Sequence, residues 1–232
     1  MSDAERFIKV CLPSHHVTAT LRREIASFIE ACTGYRTASL PYRMNTADEF
    51  CLGRTHGGQL VAVMLFQLIE EQIGKTNHLV LLATTILVDP AYRGRGLGSW
   101  LILSAYARMR RLYPDAKLHW AFAANREEAY VQLTRSMVLY WPHPHLPTPA
   151  SAKHLMDAAG QHLPKYNANM GLARYDIVPN DASWSTDLDD PKARFFRRRN
   201  PSWREGCALL CLCPLTLENM TDRARTRLSR RL

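Results

Sequence analysis

The stretch that most constrains this chain runs from Leu79 to Tyr113: LVLLATTILV, then DPAYRGRGLG, then SWLILSAYARMRRLY. The first part is apolar, rich in β-branched residues and far too short to span a membrane, so it reads as a buried strand. The last part, Gly98–Tyr113, reads as a helix closed by Pro114. Between them the chain turns tightly, with glycine at every second position. A helix opening leaves backbone N–H groups without partners, and these carry partial positive charge. Gly94, Gly96 and Gly98 keep bulk away from those amides, and Arg93 and Arg95 add charge beside them. The arrangement suits a phosphate or a diphosphate. It is neither the GxxxxGK[ST] loop nor the GxGxxG dinucleotide turn.

The rest of the chain alternates strands and helices. Strands are expected at Arg6–Leu12, Glu49–Arg54, Leu60–Ile69, His78–Val88, Lys117–Ala123 and Gly206–Pro214, with weaker ones at Val138–Trp141 and Leu172–Ile177. Helices are expected at Ser14–Thr33, where apolar residues recur every three or four positions and Gly34 ends the run, and at Asn125–Ser136, with Asn125 and Glu128 as an N-cap pair. A short helix fits Ser151–His162. Thr216–Leu232 fits a basic helix with a thin apolar line of Leu217, Met220, Ala224 and Leu228. WPHPHLPTP is extended, and the remainder of 163–205 is irregular. The whole reads as an α/β (α+β) fold in a single domain.

Charge separates the chain unevenly. Residues 192–232 hold eleven Lys/Arg against three Asp/Glu, so they carry nearly all of the net +9. An anionic partner is one reading of that segment and a solvated basic tail is the other. MSDAERFIKV has no basic stretch followed by an apolar one. No secretory signal is therefore read, a cytoplasmic location is expected, and the six scattered cysteines are expected to be reduced.

The motif Val88-x-Pro90, then Arg93-x-x-Gly96-x-Gly98, between a buried strand and a helix, resembles the acyl-CoA signature of the GNAT N-acetyltransferase superfamily. The resemblance is clearest over Leu60–Val138. It implies a mixed, splayed central sheet flanked by helices, here with a long insertion at 142–205 before the last strand. It implies acetyl-CoA as co-substrate, with its diphosphate on Arg93, Gly94, Arg95, Gly96, Leu97, Gly98 and Ser99. The pantetheine arm would run along the backbone of Ile86, Leu87 and Val88, and Asn125 matches the family's asparagine beside that arm.

Acetyl transfer needs a neutral amine, a donor for the oxyanion and a proton for the leaving thiolate. A lysine-type amine is neutral only about one part in a thousand at pH 7.5, whereas an α-amine needs little help. The family's usual base position falls on Thr84, which cannot act as a strong base. Its usual tyrosine acid falls on Leu133. The substitutes are Glu70, with Glu71 beside it, and His119 as base, and Tyr130 as acid. Glu70 and Glu71 also suit a solvated strand end, His119 a core histidine, and Tyr130 a packing role.

His143, His145 and His154 lack the companions of a zinc site, so no metal is expected. FFRRRNPSWRE could grip an RNA backbone and stack on its bases, or simply be surface charge. The leading expectation is N-acetyl transfer to a small-molecule or amino-acid-like amine, with the insertion as a lid. A protein or aminoacyl-tRNA acceptor is the second, with nucleic acid not favoured, and a non-catalytic acyl-CoA binder is the third. No membrane partner is expected, and a homodimer is left open.

Overall fold

The structure is a computed structural model and describes residues 7–33, 40–175 and 189–229. In chain order its elements are β1 (Phe7–Pro13), α1 (Ala19–Thr33), α2 (Leu40–Thr46), β2 (Glu49–Thr55), β3 (Leu60–Ile73), β4 (Thr76–Val88), α3 (Leu97–Leu112), β5 (Lys117–Ala124), α4 (Glu127–Thr134), α5 (Ala150–Gly160), β6 (Leu172–Arg174), α6 (Pro191–Arg199), β7 (Cys207–Pro214) and α7 (Asp222–Ser229). The strands form one open sheet in the order β1-β2-β3-β4-β5-β7-β6. The pairs β1–β2, β2–β3, β5–β7 and β6–β7 are antiparallel. The expected class, an α/β sheet flanked by helices, is the class observed.

Two compact units divide the chain. In the first, Met1–Leu68 with Ala83–Pro114, the apolar face of α1 is set by Ile25 and Ile29, four residues apart. They pack with Phe50 and Leu52 of β2 and Val63 and Leu65 of β3. The other face of β2 meets α3: an added Cβ at Gly53 would lie 3.3 Å from the Trp100 ring, and Arg108 grips Glu49 through two 2.9 Å hydrogen bonds. Glu49 is buried, so the pair fixes α3 to the sheet by a bond that water does not weaken.

In the second unit, Ile69–Leu82 with Asp115–Leu232, α5 presents Ala152, Leu155, Met156 and Ala159, an i, i+3, i+4, i+7 face. That face sits in one apolar cluster with Val80, Leu82, Ala121, Leu210 and Leu212. Gly160 closes the helix where a Cβ would fall 2.2 Å from the Tyr166 ring, whose hydroxyl donates to Asp157. A Gly→Ala change inside a helix ordinarily stabilises. Here Gly160→Ala displaces Tyr166, and urea titration is expected to show a loss of about 1–3 kcal/mol. Combining it with Tyr166→Ala removes the clash and most of that penalty.

The outer flank of β7 has two suppliers. Trp141 exchanges both backbone hydrogen bonds with Leu212, and β6 pairs with Cys207–Leu209. The expected strand at Val138–Trp141 is therefore a bridge at Trp141, and residues 142–171 loop out of an interrupted edge strand. The expected strand at Leu172–Ile177 is seen as Leu172–Arg174; residues 176 and 177 lie outside the described residues, as do Arg6 and Gly34.

Several boundaries move. The first helix begins at Ala19, after a 3-10 turn at Ser14–His16. β3 continues to Ile73 because a two-residue hairpin turn, with Gly74 at φ 62°, carries the ladder onward. α4 starts at Glu127 with Arg126 as N-cap and no side-chain cap bond, so the capping role expected for Asn125 is not taken. α6 lies in a stretch expected to be irregular. The C-terminal helix is shorter than Thr216–Leu232: the Asn219 amide donates to Leu139 O and Pro214 O and accepts from Leu139 N, holding the chain before Asp222 as a loop. Residues 230–232 lie outside the described residues.

The expectation of six reduced cysteines is corrected. Cys11 and Cys51 stand directly opposite on β1 and β2, with Cα atoms 4.1 Å apart, and are joined as a disulfide. Cys32, Cys207, Cys211 and Cys213 are free thiols.

Candidate active site

The turn after β4 is built from short-range bonds. The Asp89 carboxylate accepts from Ala91 N at 2.9 Å and shapes a 3-10 turn, Pro90–Tyr92, that Pro90 pre-sets for helical φ. Asp89 N donates to Val61 O on β3, and Arg93 Nε donates to Val88 O, so the turn is pinned to the strand end. The sequence reading missed Asp89, although an Asp-Pro pair is itself a turn signal.

Gly94 and Gly96 then take φ 75° and 77°, the left-handed region where a side chain is strained. Gly96 is the N-cap of α3, and the first intrahelical bond is Trp100 N to Gly96 O. The amides of Leu97, Gly98 and Ser99 thus precede the first helical bond, as the strand–turn–helix reading requires. A Cβ at Gly94 would meet no protein atom within 4 Å, and one at Gly98 only Val88 Cγ2 at 4.0 Å. At both positions the space beside the backbone is therefore open to an added carbon. Leu97 is buried and anchors the helix start, while Arg95 is exposed with its guanidinium 5.0 Å from the Tyr92 ring.

Near this loop lies Cys32 at the end of α1. Burial pushes its thiol up to about 11, Asp89 adds to the shift and Arg93 opposes it. It is a protonated, weakly nucleophilic thiol at neutral pH. Ile86, Leu87 and Val88, half-buried, end β4 just before the turn. Thr84 donates weakly to Leu65 O, and its own carbonyl accepts from Arg43 of α2, each at 3.4 Å.

The second unit holds the remaining candidates. Asn125 is exposed between β5 and α4, its side chain free of a capping duty. Tyr130 is fully buried, its hydroxyl donates to Pro142 O at 2.9 Å, and its ring packs with Tyr140, Phe195 and Phe196. Burial pushes the Tyr130 phenol well above its ordinary range, so it holds its proton tightly. Glu70 is exposed on β3, and Glu71 bonds His154 of α5 at 2.9 Å.

His119 is the third residue of β5, six positions before Asn125, roughly 20 Å along an extended chain. Its Nε2 shares a 2.9 Å hydrogen bond with His78 Nδ1, and the two rings stack. Burial, then the neighbouring His78 and Lys117, lower its pKa to about 4, so it is neutral. The structure thus keeps His119 and Asn125 at opposite ends of one strand. His78, unremarked in the sequence, is its partner.

Other constellations resolve into local contacts. His143 packs on Tyr140, its Nδ1 accepts from His145 N, and no cluster able to hold a metal occurs among the described residues. Phe195 and Phe196 are buried and not free to stack on bases, while Trp203 is half-buried with Arg204 over its ring. No helix among the described residues is long and apolar enough to cross a membrane.

Residues 19–132 match the model of the acetyltransferase (GNAT) family. No curated protein sequence matches the chain. Among solved structures, similar ones include the GNAT family N-acetyltransferase YhbS of Escherichia coli in complex with CoA, at 11% identity and TM-score 0.41, over 57% of this chain and 69% of that one. Escherichia coli ElaA aligns at 15% identity and TM-score 0.41, over 55% and 86%. An aminoglycoside acetyltransferase from an uncultured soil metagenomic sample, in complex with sisomicin, aligns at 10% identity and TM-score 0.39, over 54% and 82%. The family match falls on the segment that contains the strand, the glycine turn and α3, and the chain thus carries a GNAT-family domain and is an acyl-CoA-dependent N-acetyltransferase.

Proposed function

We propose that this enzyme moves an acetyl group from acetyl-CoA to a primary amine of a small-molecule or amino-acid-like acceptor, by direct attack in a ternary complex. The observation that carries the reading is the opening of α3, where two left-handed glycines precede three helix-first amides and the space beside Gly94 and Gly98 is open to an added carbon. Gly94 to Ser99 would hold the diphosphate, with Arg93 and Arg95 beside it, and the Ile86–Val88 backbone would pair with the pantetheine arm. The amine nitrogen bonds to the thioester carbon, the C–S bond breaks, and CoA leaves as thiolate and then thiol.

The proton steps fall mainly to solvent in this reading. Tyr130 and His119 are engaged inside the core, and Glu70 is the candidate with open access to water. An acceptor with an α-amine, whose ordinary pKa is near 7.8, is neutral often enough to attack unaided. The reading keeps 142–205 as the insertion that selects the acceptor, with α5 built into the apolar cluster of its own unit. It places the protein in the cytoplasm.

The test is thiol release from acetyl-CoA across a library of primary amines. One amine class should give release matched one-to-one by acetylated product. CoA binding with no release from any amine would leave only a CoA binder. No calorimetric heat with CoA or desulfo-CoA would remove the reading altogether. A macromolecular acceptor is the second reading, favoured by the cationic segment after Lys192.

A further inference from the structure

The candidate diphosphate site accounts for none of the basic charge that follows Pro191. Residues 191–204, PKARFFRRRNPSWR, carry six cations and no anion. Their fates differ. Arg197 bonds Glu127, a buried carboxylate at the start of α4, at 2.7 Å. Lys192 donates to Thr134 O and lies over the Tyr140 ring. Arg204 stacks on Trp203. Arg194, Arg198 and Arg199 are exposed, and no side-chain hydrogen bond or ion pair joins them to another described residue.

The packing of α6 fixes where these three point. Ala193, Phe195 and Phe196 are buried, Phe195 and Phe196 against Tyr130. Arg194 and Arg198 are four residues apart and so stand together on the outward side, with Arg199 one step around. Two like charges at that spacing disfavour the helix, and Arg194 lies in the first turn, where the helix dipole also opposes a cation. The Asp190 carboxylate at the N-cap offsets the dipole effect, and a bound anion would offset the repulsion between Arg194 and Arg198.

We infer that the outward face of α6 docks the phosphate backbone of a double-helical nucleic acid. Arginine forks match phosphate oxygens in pairs. A protein partner would be expected to find an apolar anchor at the centre of such a patch, and the large apolar residues of α6 are turned into the core. A single strand would be expected to find a run of stacking platforms, and with Phe195 and Phe196 buried only Trp203, half-buried under Arg204, remains in this stretch. Backbone contact to a helix needs only cations at the right spacing. The inference does not depend on which amine is acetylated.

The test compares the full chain with the triple variant Arg194→Gln, Arg198→Gln, Arg199→Gln. Fluorescence anisotropy would be read with deacylated tRNA, a 20-base-pair DNA duplex, oligo(U) and poly-glutamate, each from 50 to 200 mM salt. Unchanged melting temperature and CoA heat in the variant establish that it is folded. Binding of tRNA or duplex DNA by the wild type is expected, with affinity falling roughly 40-fold more than in the variant over that salt range, as three lost phosphate contacts require. Whichever duplex binds tighter names the source. Binding of poly-glutamate or oligo(U) as tight as of a duplex overturns the inference, and so does a variant with wild-type affinity and slope, or no duplex binding at 50 mM salt.

Discussion

Gly98→Ala is expected to make the protein more stable and, at the same time, to weaken CoA binding at least tenfold. The two effects have separate origins. Gly98 lies in the first turn of α3 without a positive φ, and a Cβ there would touch only Val88 Cγ2 at 4.0 Å, an ordinary contact. The protein therefore accepts the methyl group, and the helix gains about 0.5 kcal/mol from the smaller entropy of alanine in the unfolded chain. That corresponds to a rise of roughly 1–2 °C in melting temperature for a chain of this size. The same methyl group projects beside the amides that would receive the diphosphate. A tenfold loss of affinity is about 1.4 kcal/mol, the scale of one charge-assisted hydrogen bond. Gly96→Ala would be a poorer probe, because φ 77° makes any side chain strained and would mix a folding defect into the binding defect. Calorimetry with CoA and a thermal melt on the same Gly98→Ala sample separate the two effects. If affinity holds while the melt rises, the diphosphate does not lie on this helix opening.

How far such a site can be read from residues alone depends on how local its determinants are. The strand, the glycine turn and α3 were legible because the interactions that shape the turn itself span five residues or fewer, Asp89 to Ala91, Arg93 to Val88 and Trp100 to Gly96, while the longer bonds of Asp89 to Val61 and Arg108 to Glu49 only fix it to the sheet. The α5 face was legible for the same reason, since its apolar spacing marks the helix whatever it packs on. α6 was not read. Its buried residues are one alanine and two adjacent phenylalanines, which give no 3.6-residue rhythm, and three consecutive arginines mask them. The signal that would have found it is Asp190 before Pro191: the carboxylate accepts from Lys192 N, and the proline takes the first helical position.

The longer-range features had no local trace. The Cys11–Cys51 bond depends on the register of β1 against β2, across a sequence separation of 40. The interrupted edge strand depends on Trp141 and Leu172 finding the same neighbour, β7. Asn219, which delays the start of the C-terminal helix to Asp222, does so by reaching back 80 residues to Leu139. The candidate acid and base likewise rest on distant contacts. Tyr130 and His119 have suitable chemistry by type, and what decides their roles is the distant Pro142 carbonyl and the distant His78 ring.

That histidine pair sets the second large effect. The protein is expected to lose stability as the pH falls from about 6.5 toward 4, and His119 is the main cause. Its Nε2 faces His78 Nδ1, its Nδ1 is buried with no partner, and Lys117 and His154 bring further positive charge toward the pair. Burial first, and these neighbours second, favour the neutral ring and lower its pKa to about 4, against roughly 6.5 in the unfolded chain. Between those values the unfolded chain binds the proton more readily than the folded one, so stability falls as pH drops and levels off below the folded pKa. At pH 5 the loss from this one group is about 2 kcal/mol. Among the carboxylates, Glu24 is held below its ordinary range by its hydrogen bond from Arg54, and Glu128, raised by burial, acts with the opposite sign to His119. The acid transition should therefore follow the imidazoles. Urea midpoints at pH 7.5, 6 and 5 measure the slope directly, and His119→Phe should flatten it, whatever that variant does to stability at pH 7.5. A slope unchanged in His119→Phe would mean that the acid sensitivity resides elsewhere and that the buried pair does not keep His119 neutral.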